Sequence, residues 1–319
     1  MQKSYSNLVH TRVPGTLGGL LVLVGFVIIG MAVGNILAIV ILALLTSSDA
    51  SSITTLLTTL FSDPEKVPNG WLAMMILQGT VHFFSYLLPS LLYWFYMEKK
   101  DLHDFNFRAK PAISTWFLAC ILVLIFIPVN SLFIDLNSKM TFPDSLLGLE
   151  KWMREKEDQN AMLTQFMTSY KQVGQLVIAL IVVVLLPAVG EEVLFRGIIQ
   201  RKLAQHWANV HISIWVSAAI FSAIHFQFFG FLPRMILGAL FGYLYYWSGR
   251  LSVAIAAHFI NNGFVLIMMF LYNIKVLDIN IEETKSLPIV TIVASLVLTA
   301  GILYEIRKNS NKQQALVSE

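Results

Sequence analysis

Gln172-Val-Gly-Gln-Leu-Val-Ile-Ala-Leu-Ile-Val-Val-Val-Leu-Leu-Pro187-Ala-Val-Gly190-Glu191-Glu192-Val-Leu-Phe-Arg196 is an apolar run that ends on two carboxylates and a guanidinium. About 20 apolar residues suffice to cross the hydrocarbon of a bilayer. A charge held there costs roughly 2.5–3.5 kcal/mol or more, so a glutamate pair calls for partners. Two later apolar runs supply them, in Phe221-Ser-Ala-Ile-His225 and in His258-Phe-Ile-Asn261-Asn262. Ionisable groups and an amide on three different predicted helices point to a polar site assembled within the membrane, because polar groups at such depth seek one another or line a wet cavity.

The rest of the chain agrees with that solvent. Of its 319 residues 56% are hydrophobic and only 13% charged, where a soluble domain carries about 25%. The expected class is an all-α polytopic membrane protein of about eight transmembrane helices enclosing a polar cavity. The candidate spans lie near 17–46, 71–97, 114–134, 172–194, 211–229, 232–248, 251–273 and 287–305. Without a repeat or a low-complexity tract, residues 1–319 read as one membrane domain, with the polar clusters confined to a core near 172–273. The first apolar run is too long for the core of a cleavable leader and reads as a membrane anchor.

Charge gives the expected orientation. Lys3 and Arg12 precede the first span; Lys99, Lys100, Arg108 and Lys110 follow the second; Arg201 and Lys202 the fourth; Arg250 the sixth; Arg307, Lys308 and Lys312 the eighth. These clusters fall on one side, which the positive-inside rule assigns to the cytoplasm. The expected location is a bacterial-type cytoplasmic membrane with both termini and the mouth of the cavity on the cytoplasmic side. The loops around 47–70 and 274–286 hold few bases. The loop at 135–171 is the exception, with Lys139, Lys151, Arg154, Lys156 and Lys171 among many acids.

That loop has a pattern of its own. Leu146, Leu149, Trp152 and Met153 recur at roughly helical spacing after Pro143-Asp144-Ser145, and Met162, Leu163, Phe166 and Met167 follow. It reads as a solvated connector with some apolar packing, against the alternative of an interfacial helix or lid over the cavity.

Within the first cluster, Glu191 and Glu192 point about 100° apart on a helix. Arg196 lies four residues after Glu192, a favourable ion-pair spacing, so Glu192 pairs with Arg196 and Glu191 is left for chemistry. The competing reading puts both glutamates at a cytoplasmic helix end, bridged to Arg196 and Arg201. Pro187 removes a backbone donor, and Gly190 permits close helix approach. Phe221 and His225 share a helix face at i,i+4, as do His258 and Asn262. Depth leaves a tension: His258 is about 12 Å from Arg250, whereas His225 is roughly 21 Å deep if its helix starts at His211. His82, in the second span, is placed where it could touch the cavity, but with no partner at motif spacing it is read as structural. His10, His103, His206 and His211 flank charged or loop segments, and the lone Cys120 is a small buried hydrophobe.

Several intramembrane chemistries lack their residues here. There is no H-E-x-x-H zinc pair, no aspartate dyad within a span and no G-x-S-x serine motif. The ordered succession E-E-x-x-x-R, F-x-x-x-H and H-x-x-x-N, over about residues 180–265, resembles the CPBP family, the CAAX prenyl proteases and bacteriocin-processing proteins also called Abi. The resemblance implies a multi-helical intramembrane endopeptidase. It makes Glu191 the catalytic glutamate, His225 and His258 the motif histidines and Asn262 the motif asparagine, with Glu192, Arg196 and Phe221 in support. In that chemistry Glu191 and His225 activate a water, and His258 and Asn262 donate to the oxyanion. No cofactor is required; the alternative is a zinc held by Glu191, His225 and His258. The expected partners are a peptide or membrane-anchored protein substrate and the lipid bilayer, with no nucleic acid. Two other functions stay open: a non-catalytic membrane scaffold or bacteriocin-immunity protein, and a proton-coupled transporter using the Glu/His set as a relay.

Overall fold

The computed structural model describes residues 16–46, 49–108, 111–278 and 287–318, with side chains described up to residue 311. The basic residues Lys3, Arg12 and Lys110, His10 and the segment 279–286 lie outside the described residues, as does the side chain of Lys312. The described chain folds into helices α1 (Thr16–Thr46), α2 (Ala50–Ser62), α3 (Gly70–Met97), α4 (Ile113–Ser138), α5 (Leu147–Thr168), α6 (Val173–Trp207), α7 (Val210–Ala223), α8 (Phe231–Ser248), α9 (Leu251–Asn273) and α10 (Ile289–Ser318), with no strand among the described residues. Seven of them, α1, α3, α4, α6, α8, α9 and α10, are long and apolar enough to cross a membrane. The protein is an all-α integral membrane protein.

The expected span at 211–229 is the shorter helix α7. Its start is fixed by Asn209, whose side chain accepts from the His211 and Ile212 amides, an N-cap. Its end comes before His225, where Phe226 takes a left-handed φ of 52° and stops the helix. At 1.5 Å per residue, a 14-residue helix is about 21 Å long. The helix does not start late, and the histidine sits in the turn beyond it rather than on it.

Two helices depart from a uniform α pitch. In α3, π-helical turns span Phe83–Leu87 and Tyr93–Met97; in α6 they span Leu180–Leu185 and Val193–Gln200, flanking the Pro187–Glu192 segment. Each wide turn rotates the side chains that follow it away from a 3.6-residue phase. Close backbone approach does the rest: a Cβ on Gly30 of α1 would lie 2.1 Å from the Phe84 carbonyl of α3. The main core joins α6, α7, α8 and α9 through Phe195, Ile198, Ile214, Phe241, Leu244 and Ala257, all nearly inaccessible.

The 136–170 loop differs from the connector expected of it. It holds the 22-residue helix α5, tied at its C-terminal end by Trp71 Nε1 donating to the Met167 carbonyl at 2.9 Å and Asn273 Nδ2 donating to the Thr168 carbonyl at 2.6 Å. At its other end, Glu150 accepts from the Phe142 amide and from Arg154. These bonds hold the Glu150 carboxyl below its usual pKa. The long-range ties convert an amphipathic segment into a docked element.

Candidate active site

The three sequence clusters converge. Glu192 and Arg196 are fully buried, at 0% and 1% exposure, and pair at 2.8 Å as the i,i+4 spacing predicts. The second arm of the guanidinium donates to the Gly238 carbonyl of α8 at 2.7 Å, and its face lies over Phe221 and Phe241. Arg201 does not share the glutamates: it donates to the Asp104 carbonyl. The reading of both glutamates as members of a cytoplasmic salt-bridge cluster is thereby set aside.

Glu192 has a second partner. His258 Nδ1 lies 2.9 Å from Glu192 Oε1, so the imidazole donates there and turns Nε2 the other way. Asn262 Nδ2 donates to that Nε2 at 3.1 Å, and Asn261 Nδ2 donates to Asn262 Oδ1 at 3.0 Å. The result is one chain of hydrogen bonds, Arg196–Glu192–His258–Asn262–Asn261, drawn from α6 and α9. The ring of His258 is stacked on Phe241, centroids 5.0 Å apart. Because each member fixes its neighbour, Asn262 keeps one amide hydrogen that His258 does not use.

Glu191 stands apart from this chain. Its carboxylate is 3.9 Å from His258 Nε2, beyond hydrogen-bond length, and it lines a cavity of about 710 Å³ that Glu192 does not reach. His225, His258, Asn261, Asn262, Phe221 and Phe241 line the same cavity. His225 Nδ1 is held by the Phe221 carbonyl at 2.8 Å; with that nitrogen donating, Nε2 is the acceptor. The structure thus brings Glu191, His225, His258 and Asn262 to one cavity and places Glu192 and Arg196 behind it. Among the described residues, no three His, Cys, Asp or Glu side chains converge as a metal ion would require.

The cavity also takes in residues that the sequence motifs leave out. His82, taken as structural, lines the cavity with its Nε2 buried and unbonded, stacked on Tyr86. Asn130 Oδ1 and Arg234 Nη1, also in the cavity wall, are buried without a hydrogen-bond partner. Arg234 donates through its other amino group to Gln227 Oε1. A signal for Arg234 existed: it is the one charge inside the apolar run 232–248, and an intramembrane ionisable group is a candidate by default. Helix α5 adds Arg154, Glu157 and Asp158. Glu157 Oε2 accepts from the Phe229 amide at 3.3 Å, and burial nonetheless pushes its carboxyl above the ordinary pKa.

The cavity runs away from the basic helix ends. Its outer lining comes from the C-terminal end of α4 (Ser138), from α5, from Phe229 and Gly230 just before α8 and from Pro233 in its first turn. The basic clusters at Lys99, Lys100, Arg108, Arg201, Lys202 and Arg250 sit at the opposite helix ends. On that basic side the site is closed by a packed layer of Gln200, Phe105, Tyr245 and Leu251, each at most 4% exposed. Tyr245 Oη donates to the Phe105 carbonyl at 2.6 Å across it.

Comparison with known proteins covers the part of the chain that holds the site. Residues 173–264 match the family model described as type II CAAX prenyl endopeptidase Rce1-like. A Bacillus subtilis (strain 168) protein described as uncharacterized protein YpbD is 36% identical over 85 residues, a quarter of this chain and 40% of that relative. The chain therefore spans well under half the length of the curated relative it matches. No solved structure matches. Glu191, Glu192, Arg196, His225, His258 and Asn262 all lie within the residues that match the Rce1-like model, in an integral membrane protein.

Proposed function

We propose that the protein is an intramembrane endopeptidase that hydrolyses peptide bonds of membrane-associated proteins or peptides through water activated by Glu191. The observation that carries this reading is the division of labour between adjacent carboxylates. Glu192 is consumed by Arg196 and His258, while Glu191, one residue away, faces the cavity beside His258 with no hydrogen-bond partner in the site.

In this mechanism Glu191, with His225 Nε2 beside the same cavity, takes a proton from water as its oxygen bonds to the scissile carbonyl carbon. The charge that develops on the carbonyl oxygen falls to the remaining amide hydrogen of Asn262. His258 accepts from Asn262 in the resting arrangement, so it serves as a donor only after taking a proton. Collapse breaks the C–N bond, and the proton held by Glu191 passes to the leaving amine, giving a carboxylate and an amine. Glu192 and Arg196 set the tautomer and orientation of His258. The reaction so written needs no metal. The substrate is a peptide or membrane-anchored protein reached within the bilayer. The basic helix ends, and both termini with them, lie on the cytoplasmic side of a bacterial-type membrane.

The test compares peptide termini in membranes from cells expressing wild type and Glu191→Ala at matched levels. Termini produced by wild type alone, and still produced when purified protein is assayed in a chelator, are the expected result. Termini that persist in Glu191→Ala sink the glutamate mechanism. Activity abolished by the chelator and restored by zinc replaces it with the metal-assisted one.

A further inference from the structure

We infer that the cavity is loaded from the non-cytoplasmic side of the membrane, beneath helix α5, so that the substrates are peptide segments exposed at the outer face rather than cytoplasmic tails. This rests on the protease reading above and on the orientation given by the basic clusters.

Three observations lead here. The first is the path of the cavity. From Glu191 and Phe241 at its base it runs past His225 and Asn261 to Ser138 and Asp158, all toward the α5 end. In the other direction Arg196, Gln200, Tyr245 and Phe105 fill the space between the site and the basic loops. A substrate arriving from the basic side would have to displace a layer packed like a protein core. Such layers do not open in small steps.

The second is charge. The segments at the α5 end carry Lys66, Lys139, Lys151, Arg154, Lys156, Lys171 and Lys275, of which Lys66, Lys139 and Arg154 pair with Asp63, Asp135 and Glu150. Glu155, Glu157 and Asp158 add further acids there. At the opposite end Lys100 and Lys202 pair with Glu98 and Lys308 with Glu305, Arg201 donates to the Asp104 main-chain carbonyl, Arg108 to that of Trp247, and Arg307 stands exposed. An excess of Lys and Arg in the segments flanking the spans marks the cytoplasmic face, acids counting for little; by sequence the flanks at the sealed end carry twelve and those at the α5 end eight.

The third is the chemistry of the mouth. His82 Nε2, Asn130 Oδ1 and Arg234 Nη1, from α3, α4 and α8, are buried polar atoms with no hydrogen-bond partner, all on this cavity. A buried polar group left unpaired costs about 1–3 kcal/mol. A wall that presents the donor Arg234 and the acceptor Asn130 suits the alternating C=O and N–H groups of a peptide main chain. A lipid chain would satisfy neither.

Access is tested by cysteine labelling, which needs no activity and so fails separately from the protease reading. In a Cys120→Ala background, Ser138→Cys in the cavity wall, Glu155→Cys on the exposed face of α5 and Arg307→Cys at the basic end are treated in intact cells with a membrane-impermeant maleimide. The protein is then denatured, and unreacted thiols are counted with a fluorescent maleimide. Protection of Ser138→Cys and Glu155→Cys by the impermeant reagent, with Arg307→Cys protected only after permeabilisation, is the expected pattern. The reverse pattern overturns the proposal, as does a Ser138→Cys that reacts only after permeabilisation while Glu155→Cys reacts in intact cells. If Ser138→Cys fails to fold, Asp158→Cys on α5 takes its place. Where wild-type-dependent cleavage is found, bonds cut in cytoplasmic segments overturn the assignment of the substrate class as well.

Discussion

Removing the Arg196 guanidinium tests the claim that Glu192 is the structural member of the acidic pair. In Arg196→Met the volume is roughly kept, but Glu192, wholly inaccessible, loses its charge partner and retains only His258. Breaking a buried pair by deleting one member costs about 3–5 kcal/mol. The bond to the Gly238 carbonyl adds about 1 kcal/mol, and the contacts with the Phe221 and Phe241 faces add about 1 kcal/mol more. These losses overlap, and His258 offsets part of them, so the net is on the order of 4 kcal/mol. In a domain of this size each kcal/mol moves Tm by roughly 2–4 °C, giving a fall of about 10 °C. The single cysteine, Cys120, partly buried in α4, supplies the assay, since a thiol-reactive dye reports its exposure on unfolding in detergent. The double variant Glu192→Gln/Arg196→Met removes the stranded charge and should recover about half of the loss. A single variant that melts within about 2 °C of wild type would refute the reasoning. So would a double variant no more stable than the single one, because the penalty would then be lost packing and not an unpaired carboxylate.

Two other expectations follow from the geometry. Asn261→Leu removes the bond that orients Asn262; a neutral hydrogen bond is worth about 1 kcal/mol, so kcat should fall about five-fold with KM unchanged. A change confined to KM would mean that Asn261 contacts substrate instead. At the basic end, Glu98 is raised by burial, but bonds and charges from Lys202 and Lys100 outweigh this and bring its pKa down to about 2. A carboxyl with a depressed folded pKa stabilises fully above its unfolded value and loses that contribution as pH falls toward the folded one. The stability gap between wild type and Glu98→Gln should therefore be about 1 kcal/mol after solvent screening and constant from about pH 7 to 5. It should close only below about pH 4.5. Tryptophan-fluorescence melts across that range give the answer, and a gap that opens on acidification contradicts it.

Local spacing made much of the site legible. Glu192 with Arg196 and His258 with Asn262 are i,i+4 pairs, and such neighbours meet on any helix, whatever surrounds it. Seven of the spans were legible for a comparable reason, since a long apolar run has few other solutions in lipid. What failed were inferences that carried one helix's period through a break. The face shared by Phe221 and His225 belongs to a helix that stops at Ala223, and only the bond from His225 to the Phe221 carbonyl preserves the contact.

The sequence by itself determined the membrane class, the identity of the polar clusters and the pairing of Glu192 with Arg196, because each depends on composition or on separations of a few residues. The tertiary structure decided which neighbours those clusters meet across helices: His258 on Glu192, Arg234 and His82 in the cavity wall, α5 as a docked roof. It also decided at which end the cavity opens. Such contacts depend on how each helix is rotated and how deep it sits against the next. The wide turns flanking Glu191 in α6, and the anchoring of α5 by Trp71 and Asn273, fix those rotations and depths through residues distant in the chain.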